Sequence, residues 1–166
     1  MIGTLFLFMY FPSFNSANLV GVAQHRSILN TFYSMTGGCL MAMFICRMMI
    51  GKLDMRILMF STLSGAVMIA ASSNLIFNAG WAMLVGCLSG IAASLGAFKL
   101  DKFMQDKVKI HDTCGVQFLH AIPGLLGAVT SAVCAGFAQY NFAGTLELNE
   151  AFPLVGTGVA NRQIGE

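Results

Sequence analysis

The chain has 166 residues, of which 57% are hydrophobic and 10% charged, with mean hydropathy +0.75 and a formal net charge of +2. Soluble domains carry about 25% charged residues, so this composition sets the chain apart from them and also excludes disorder, collagen and a disulfide-rich secreted scaffold. The net charge is too small and too scattered for nucleic-acid binding. Residues 57–98 form 42 consecutive positions without Lys, Arg, Asp or Glu, and residues 113–146 form 34 more, interrupted only by His120. Runs beyond about 18 apolar residues read as membrane spans, which gives an all-α polytopic membrane protein.

Residues 1–14 are apolar, with Pro12 bending or ending the stretch. Fourteen residues of helix reach about 21 Å, short of the roughly 30 Å hydrocarbon core. A signal peptide would need a basic segment ahead of it, and there is none. A helix truncated at its beginning fits better. Residues 16–26 are more polar and read as a loop. Residues 27–46 are an uncharged span, closed by Arg47 and then by Gly51-Lys52-Leu53-Asp54. The 42-residue run holds two helices, near 54–73 and 79–98, separated by the turn chemistry of Ser72-Ser73-Asn74 and Asn78-Ala79-Gly80. Residues 99–112 read as a loop or a short amphipathic helix. The last span, 112–140, is long and glycine-rich with Pro123 inside, and 141–166 is a polar, irregular tail.

Arg47, Lys52 and Arg56 share one loop, and Lys99, Lys102, Lys107 and Lys109 share the next loop but one, together seven of the nine Lys and Arg. The positive-inside rule makes loops 47–56 and 99–111 cytoplasmic, with the tail outside. Gly86, Gly90 and Ser94 recur at four-residue spacing, as do Gly124 with Ala128 and Gly127 with Ser131. Such stripes let helices approach closely in lipid, although glycine and alanine are common in membrane helices anyway. The five cysteines form no CxxC pair and read as small packing residues.

His120 lies eight positions, about 12 Å, past Asp112. An ionisable group at that depth faces a cavity, a relay or a partner, or else is a neutral imidazole bonded to a nearby carbonyl. Imidazole can accept a proton at one nitrogen and release it from the other, which suits a solute that changes protonation in transit. Asp112, at the cytoplasmic end of the same helix, has a strong structural role open to it, accepting from free amides at the helix start. Asp112 and His120 are too far apart on a helix to share a metal, and there is no HxxxH pairing. Nor is there a nucleophile–base pair at plausible spacing, so neither a cofactor nor an enzyme is expected. Phe14 ends the first helix as packing or interfacial anchor, and Asn15 can cap a backbone break after Pro12.

Taken together, the segments resemble the carboxy-terminal half of an Rh glycoprotein of the ammonium transporter superfamily, a part of its eleven-helix core bundle. MIGTLFLFMYFPSFNSA (1–17) resembles the sixth core helix, QHRSILNTFYS (24–34) the start of the seventh and GKLDM (51–55) the linker to the eighth. IHDTCGVQFLHAIPG (110–124) resembles the signature of the tenth. The resemblance implies a homotrimer in the plasma membrane with a separate hydrophobic pore in each subunit, conducting ammonia or ammonium, or carbon dioxide in the Rh branch. By the same resemblance His120 matches the second of two pore histidines, Phe14 one of two stacked phenylalanines at the outer mouth, and Asp112 the acidic residue that begins the tenth helix. The other members of those pairs belong to the family's first half, so the chain is expected to be a fragment with Met1 an internal methionine. Gln117, Phe118 and Ala121 depart from the family pattern. Together with Asn15, Gln117 and Phe118 are pore-lining or structural positions. The departures favour the alternative of a non-conducting Rh-like subunit or an inactive fragment with a structural role.

Overall fold

A computed structural model describes residues 2–109 and 111–137. Among them there are helices and no strand. Helix α1 is Ile2–Asn15, α2 is Gly21–Ile50, and α3 is Met55–Ile69, prolonged by a 3-10 turn at Ala70–Ser72. Helix α4 spans Ala79–Val108, with π turns at Gly96–Leu100 and Met104–Val108. Helix α5 opens with a π turn at Gln117–Ala121 and continues through Ile122–Phe137. Four of these are long and apolar enough to cross a membrane, and α1 is a shorter apolar helix.

Local chemistry sets the helix ends. Asp54 caps α3 by accepting from the Arg56 amide at 2.8 Å, and Asn78 caps α4 by accepting from the Gly80 amide at 2.9 Å. Gly51, at φ +75°, ends α2 in the left-handed conformation, its amide donating to the Arg47 carbonyl at 3.1 Å.

The centre of the bundle is α2, α3 and α4, which approach almost backbone to backbone. A Cβ added at Gly90 would sit 2.7 Å from the Gly38 carbonyl, and one at Gly65 would sit 2.6 Å from the Ser34 carbonyl. Gly86 is tighter still against Ser34. Side-chain hydroxyls then bond across the seams: Ser61 with Ser94 at 2.9 Å, Ser89 to Ser64 at 2.9 Å, and Ser34 to the Gly65 carbonyl at 2.7 Å. In lipid such close packing and hydrogen bonding replace the hydrophobic drive between helices. Of the two stripes on α5, one is used. Gly127 packs on the Met68 carbonyl and Ser131 donates to the Ala71 carbonyl at 3.2 Å, whereas Gly124 has nothing within 4 Å.

Helix α2 begins at Gly21 instead of 27, so most of the expected loop 16–26 is helical. The polar Gln24, His25 and Arg26 mark where the helix leaves the apolar slab and not where it stops. Arg26 lies over the Phe77 ring at 4.4 Å, and Asn30 pins the α3–α4 loop by donating to the Ser73 and Ile76 carbonyls at 2.8 and 2.6 Å. Likewise α4 does not end at Phe98 but runs on through the charged stretch to Val108, where Lys109 takes a left-handed φ of 58°. Thirty residues of helix are about 45 Å long against a core of about 30 Å, so each of these helices overhangs with its polar end. The last helix starts at Gln117, not Asp112, and its end near 140 and the tail 141–166 lie outside the described residues.

Candidate functional site: the entry to the last helix

The segment 111–116 is irregular backbone that climbs along α3 before α5 begins. Gly115 has φ +71°, and a side chain there would collide with the Phe60 ring, so only glycine fits this turn. Asp112 then holds the start of α5: its Oδ1 accepts from the Val116 amide at 3.1 Å and its Oδ2 from the Gln117 amide at 2.8 Å. One carboxylate thereby satisfies two of the free N–H groups of a helix that starts inside the bundle. Irregular backbone at membrane depth is tolerated only where protein buries it or where it lines a cavity.

Leu119 packs against the buried cluster of Met35, Leu63 and Ala66, together with Phe8 and Phe11 of α1. Leu63 is eight residues into α3, about 12 Å from its start, so the turn containing Leu119 and His120 lies deep in the bundle. The His120 turn therefore sits level with the middle of α3, reached by a different route from the helix expected to begin at Asp112. The imidazole is in the first turn of its helix, and the extended segment before it covers the distance. Pro123 is fully buried just beyond, with no N–H to offer the Leu119 carbonyl. The π turn widens the helix at that point, where a regular turn would push the Pro123 ring into that carbonyl.

His120 is exposed, and among the described residues its ring has no hydrogen-bond partner, so a core imidazole bonded to a carbonyl is not what is found. Around it α5 presents Ala121, Gly124, Leu125 and Ala128, all exposed and apolar or small. Phe118, two residues before His120, points elsewhere: it is 2% exposed and its ring covers Gly96 of α4. Of the alternatives for Phe118, helix packing is the one observed, and its bulk does not crowd the face of His120. Gln117 is half-buried and contributes its main-chain amide to the Asp112 cap.

Phe14 and Asn15 end α1 in the same region. Asn15 donates to the Ala66 carbonyl at 3.1 Å and to Thr31 Oγ1 at 3.3 Å, which sets the end of α1 level with the cluster that receives Leu119. Phe14 is 76% exposed and meets Phe11 edge-on, ring centroids 6.0 Å apart. The structure thus gathers Phe14, Asn15 and His120 around the cluster of Met35, Leu63 and Ala66, with Phe14 a turn of α1 beyond Phe11 and Asp112 towards the end that carries the two basic loops. Sequence reading missed what positions them, namely the Asn15 ties and the π turn. Pro12 and Pro123 were the available signals, since each removes a helical donor. Among the described residues no cluster of His, Cys, Asp or Glu could hold a metal.

Residues 1–158 match the Ammonium Transporter Family. The chain belongs to that family. It is 41% identical over 162 residues to ammonium transporter Rh type B-A of Xenopus laevis, covering 95% of this chain and 35% of that protein. To ammonium transporter Rh type C of Canis lupus familiaris it is 39% identical over 155 residues, covering 92% and 34%. The fold is similar to Nitrosomonas europaea Rh50, a structure titled for conduction by the Rhesus family of channels. There the TM-score is 0.72 at 28% identity, covering 82% of this chain and 39% of that one. A sensor Amt protein gives a TM-score of 0.71 at 27% identity, covering 80% and 32%. These relatives place the chain in the Rh branch, and it spans about a third of the length of the curated relatives it matches.

Proposed function

We propose that this chain forms part of a membrane channel for ammonia and ammonium, in which the neutral molecule passes His120. The carrying observation is an exposed imidazole, without a hydrogen-bond partner among the described residues, on an otherwise apolar face of a helix long enough to span a membrane. An ammonium ion stripped of water in such a place faces a prohibitive desolvation cost, whereas ammonia does not. Apolar walls therefore select the neutral species. The imidazole adds an acceptor and a proton path where water is scarce. Phe14 lies at the outer mouth, and Asp112 holds the turn that presents the histidine.

Family membership supports the remainder of the reading: a second histidine facing His120, a homotrimer in the plasma membrane, cytoplasmic loops 47–56 and 99–111, and carbon dioxide as a further solute. The Gln117, Phe118 and Ala121 departures support the rival reading of a non-conducting subunit, but Phe118 is turned into α4 and gives it little help. In the assembled transporter reconstituted in vesicles, His120→Ala should lower ammonia flux about tenfold, which corresponds to about 1.4 kcal/mol on the barrier. Stopped-flow pH recordings read this directly. Undiminished flux removes His120 from the pathway, and no flux in the parent protein favours the non-conducting subunit.

A further inference from the structure

The turn that carries Phe14 is a weak piece of helix. Pro12 has no N–H, so the carbonyl of Phe8 loses its intrahelical donor. Ser16 N–H still makes a regular helical bond to the Pro12 carbonyl at 3.1 Å, but past it the turn tightens, Ala17 N–H donating to the Phe14 carbonyl at 3.3 Å. The Phe14 ring is largely exposed and has an edge contact to Phe11, so its own packing does little to hold it.

Asn15 compensates for this. Its Nδ2 donates to the Ala66 carbonyl of α3 and to Thr31 Oγ1 of α2, at 3.1 and 3.3 Å. The orientation of the amide is determined, because a carbonyl can only accept and because Thr31 already spends its own proton on the Ser27 carbonyl at 2.8 Å. One side chain thus ties the end of α1 to two neighbouring helices. Among the described residues its Oδ1 is buried without a partner. A buried acceptor left without a donor opposes folding and offsets part of what the two donated bonds contribute.

We propose that Asn15 is a positioning residue that fixes the ring of Phe14 at the mouth of the pathway and thereby sets which amines enter. This rests on the transport reading above. In the assembled transporter, Asn15→Leu should raise the ratio of methylamine to ammonia permeability at least about twofold, the low end of coupling between neighbouring side chains. In a Phe14→Ala background the same substitution should change the ratio no further. A ratio unmoved by Asn15→Leu, or moved equally with Phe14 removed, overturns the proposal. Thr31→Val deletes one acceptor at nearly constant shape and should shift the ratio in the same direction by less. Should Asn15→Leu fail to assemble, Thr31→Val decides, and an unchanged ratio there is equally fatal. A second readout does not depend on transport. With 4-fluorophenylalanine at position 14, the parent should give one narrow fluorine resonance, and Asn15→Leu a broadened or split one. If neither amine crosses even in the parent, the transport reading fails, while the fluorine spectrum still decides the role of Asn15. An identical spectrum in both proteins overturns that role.

Discussion

On the proposed transport reading, Asp112 has two roles open to it, as a charge seen by the solute or as the cap of a helix. The geometry favours the second, because both carboxylate oxygens are engaged by main-chain N–H groups at 3.1 and 2.8 Å. An acid that satisfies two amides at the buried start of a helix also opposes the partial positive charge there. Asp112→Ala should therefore destabilise the start of α5 by about 1 kcal/mol, the usual cost of losing a cap. Hydrogen exchange at the amides of Val116 and Gln117 should speed up, with the exchange of α2 unchanged. Asp112→Asn, which keeps one acceptor, should lie between. Equal protection of those two amides in all three proteins would return Asp112 to the solute. The cap itself was legible in the sequence, since an aspartate ahead of an apolar run invites it. The register was not, because it depends on Gly115 turning against a ring that is 55 positions earlier in the chain.

At the scale of elements, the sequence pattern located the helices better than it located their ends. Hydropathy reports the apolar slab, while α2 and α4 extend beyond it on polar tips such as Gln24-His25-Arg26 and Lys99-Leu100-Asp101-Lys102. Small-residue spacing was similarly half-informative. Gly86 and Gly90 meet the backbone of α2, and Gly127 meets α3, but Gly124 has the same four-residue spacing and faces open space. Spacing states that a stripe exists, whereas which stripe is used depends on how α5 is rotated. Gly86→Ala should therefore cost about 1–3 kcal/mol by forcing α2 and α4 apart, read as a lower denaturation midpoint in detergent. Gly124→Ala should stay within about 0.5 kcal/mol, as for other open sites. A Gly124→Ala loss matching that of Gly86→Ala would mean that another segment covers this face. The serine pairs between α3 and α4 had little signal in the sequence. Hydroxyls within apolar helices bond their own carbonyls as readily as a neighbour's, and only the fold separates Ser61, which meets Ser94, from Thr62, which bonds Leu58.

At the scale of the molecule, the alternating course of α2, α3, α4 and α5 brings both basic loops to one end and the His25–Arg26 tip to the other. Charge favours a single orientation, since seven of the nine Lys and Arg lie in those two loops. Cysteine labelling tests both statements at once. In a background with the five native cysteines replaced, a membrane-impermeant maleimide applied to intact cells should label His25→Cys, because that side chain is exposed on the tip of α2 opposite the basic loops. Lys52→Cys and Lys107→Cys, equally exposed, should be labelled only after the membrane is opened. The reverse pattern would invert the protein, placing Phe14 on the cytoplasmic side of His120 and requiring solute to meet the phenylalanine last. Lys52 and Lys107 on opposite sides would be incompatible with α3 and α4 crossing as two antiparallel spans. On the proposed transport reading, the order in which a solute meets Phe14 and His120 thus follows from where two lysines outside the pathway are found.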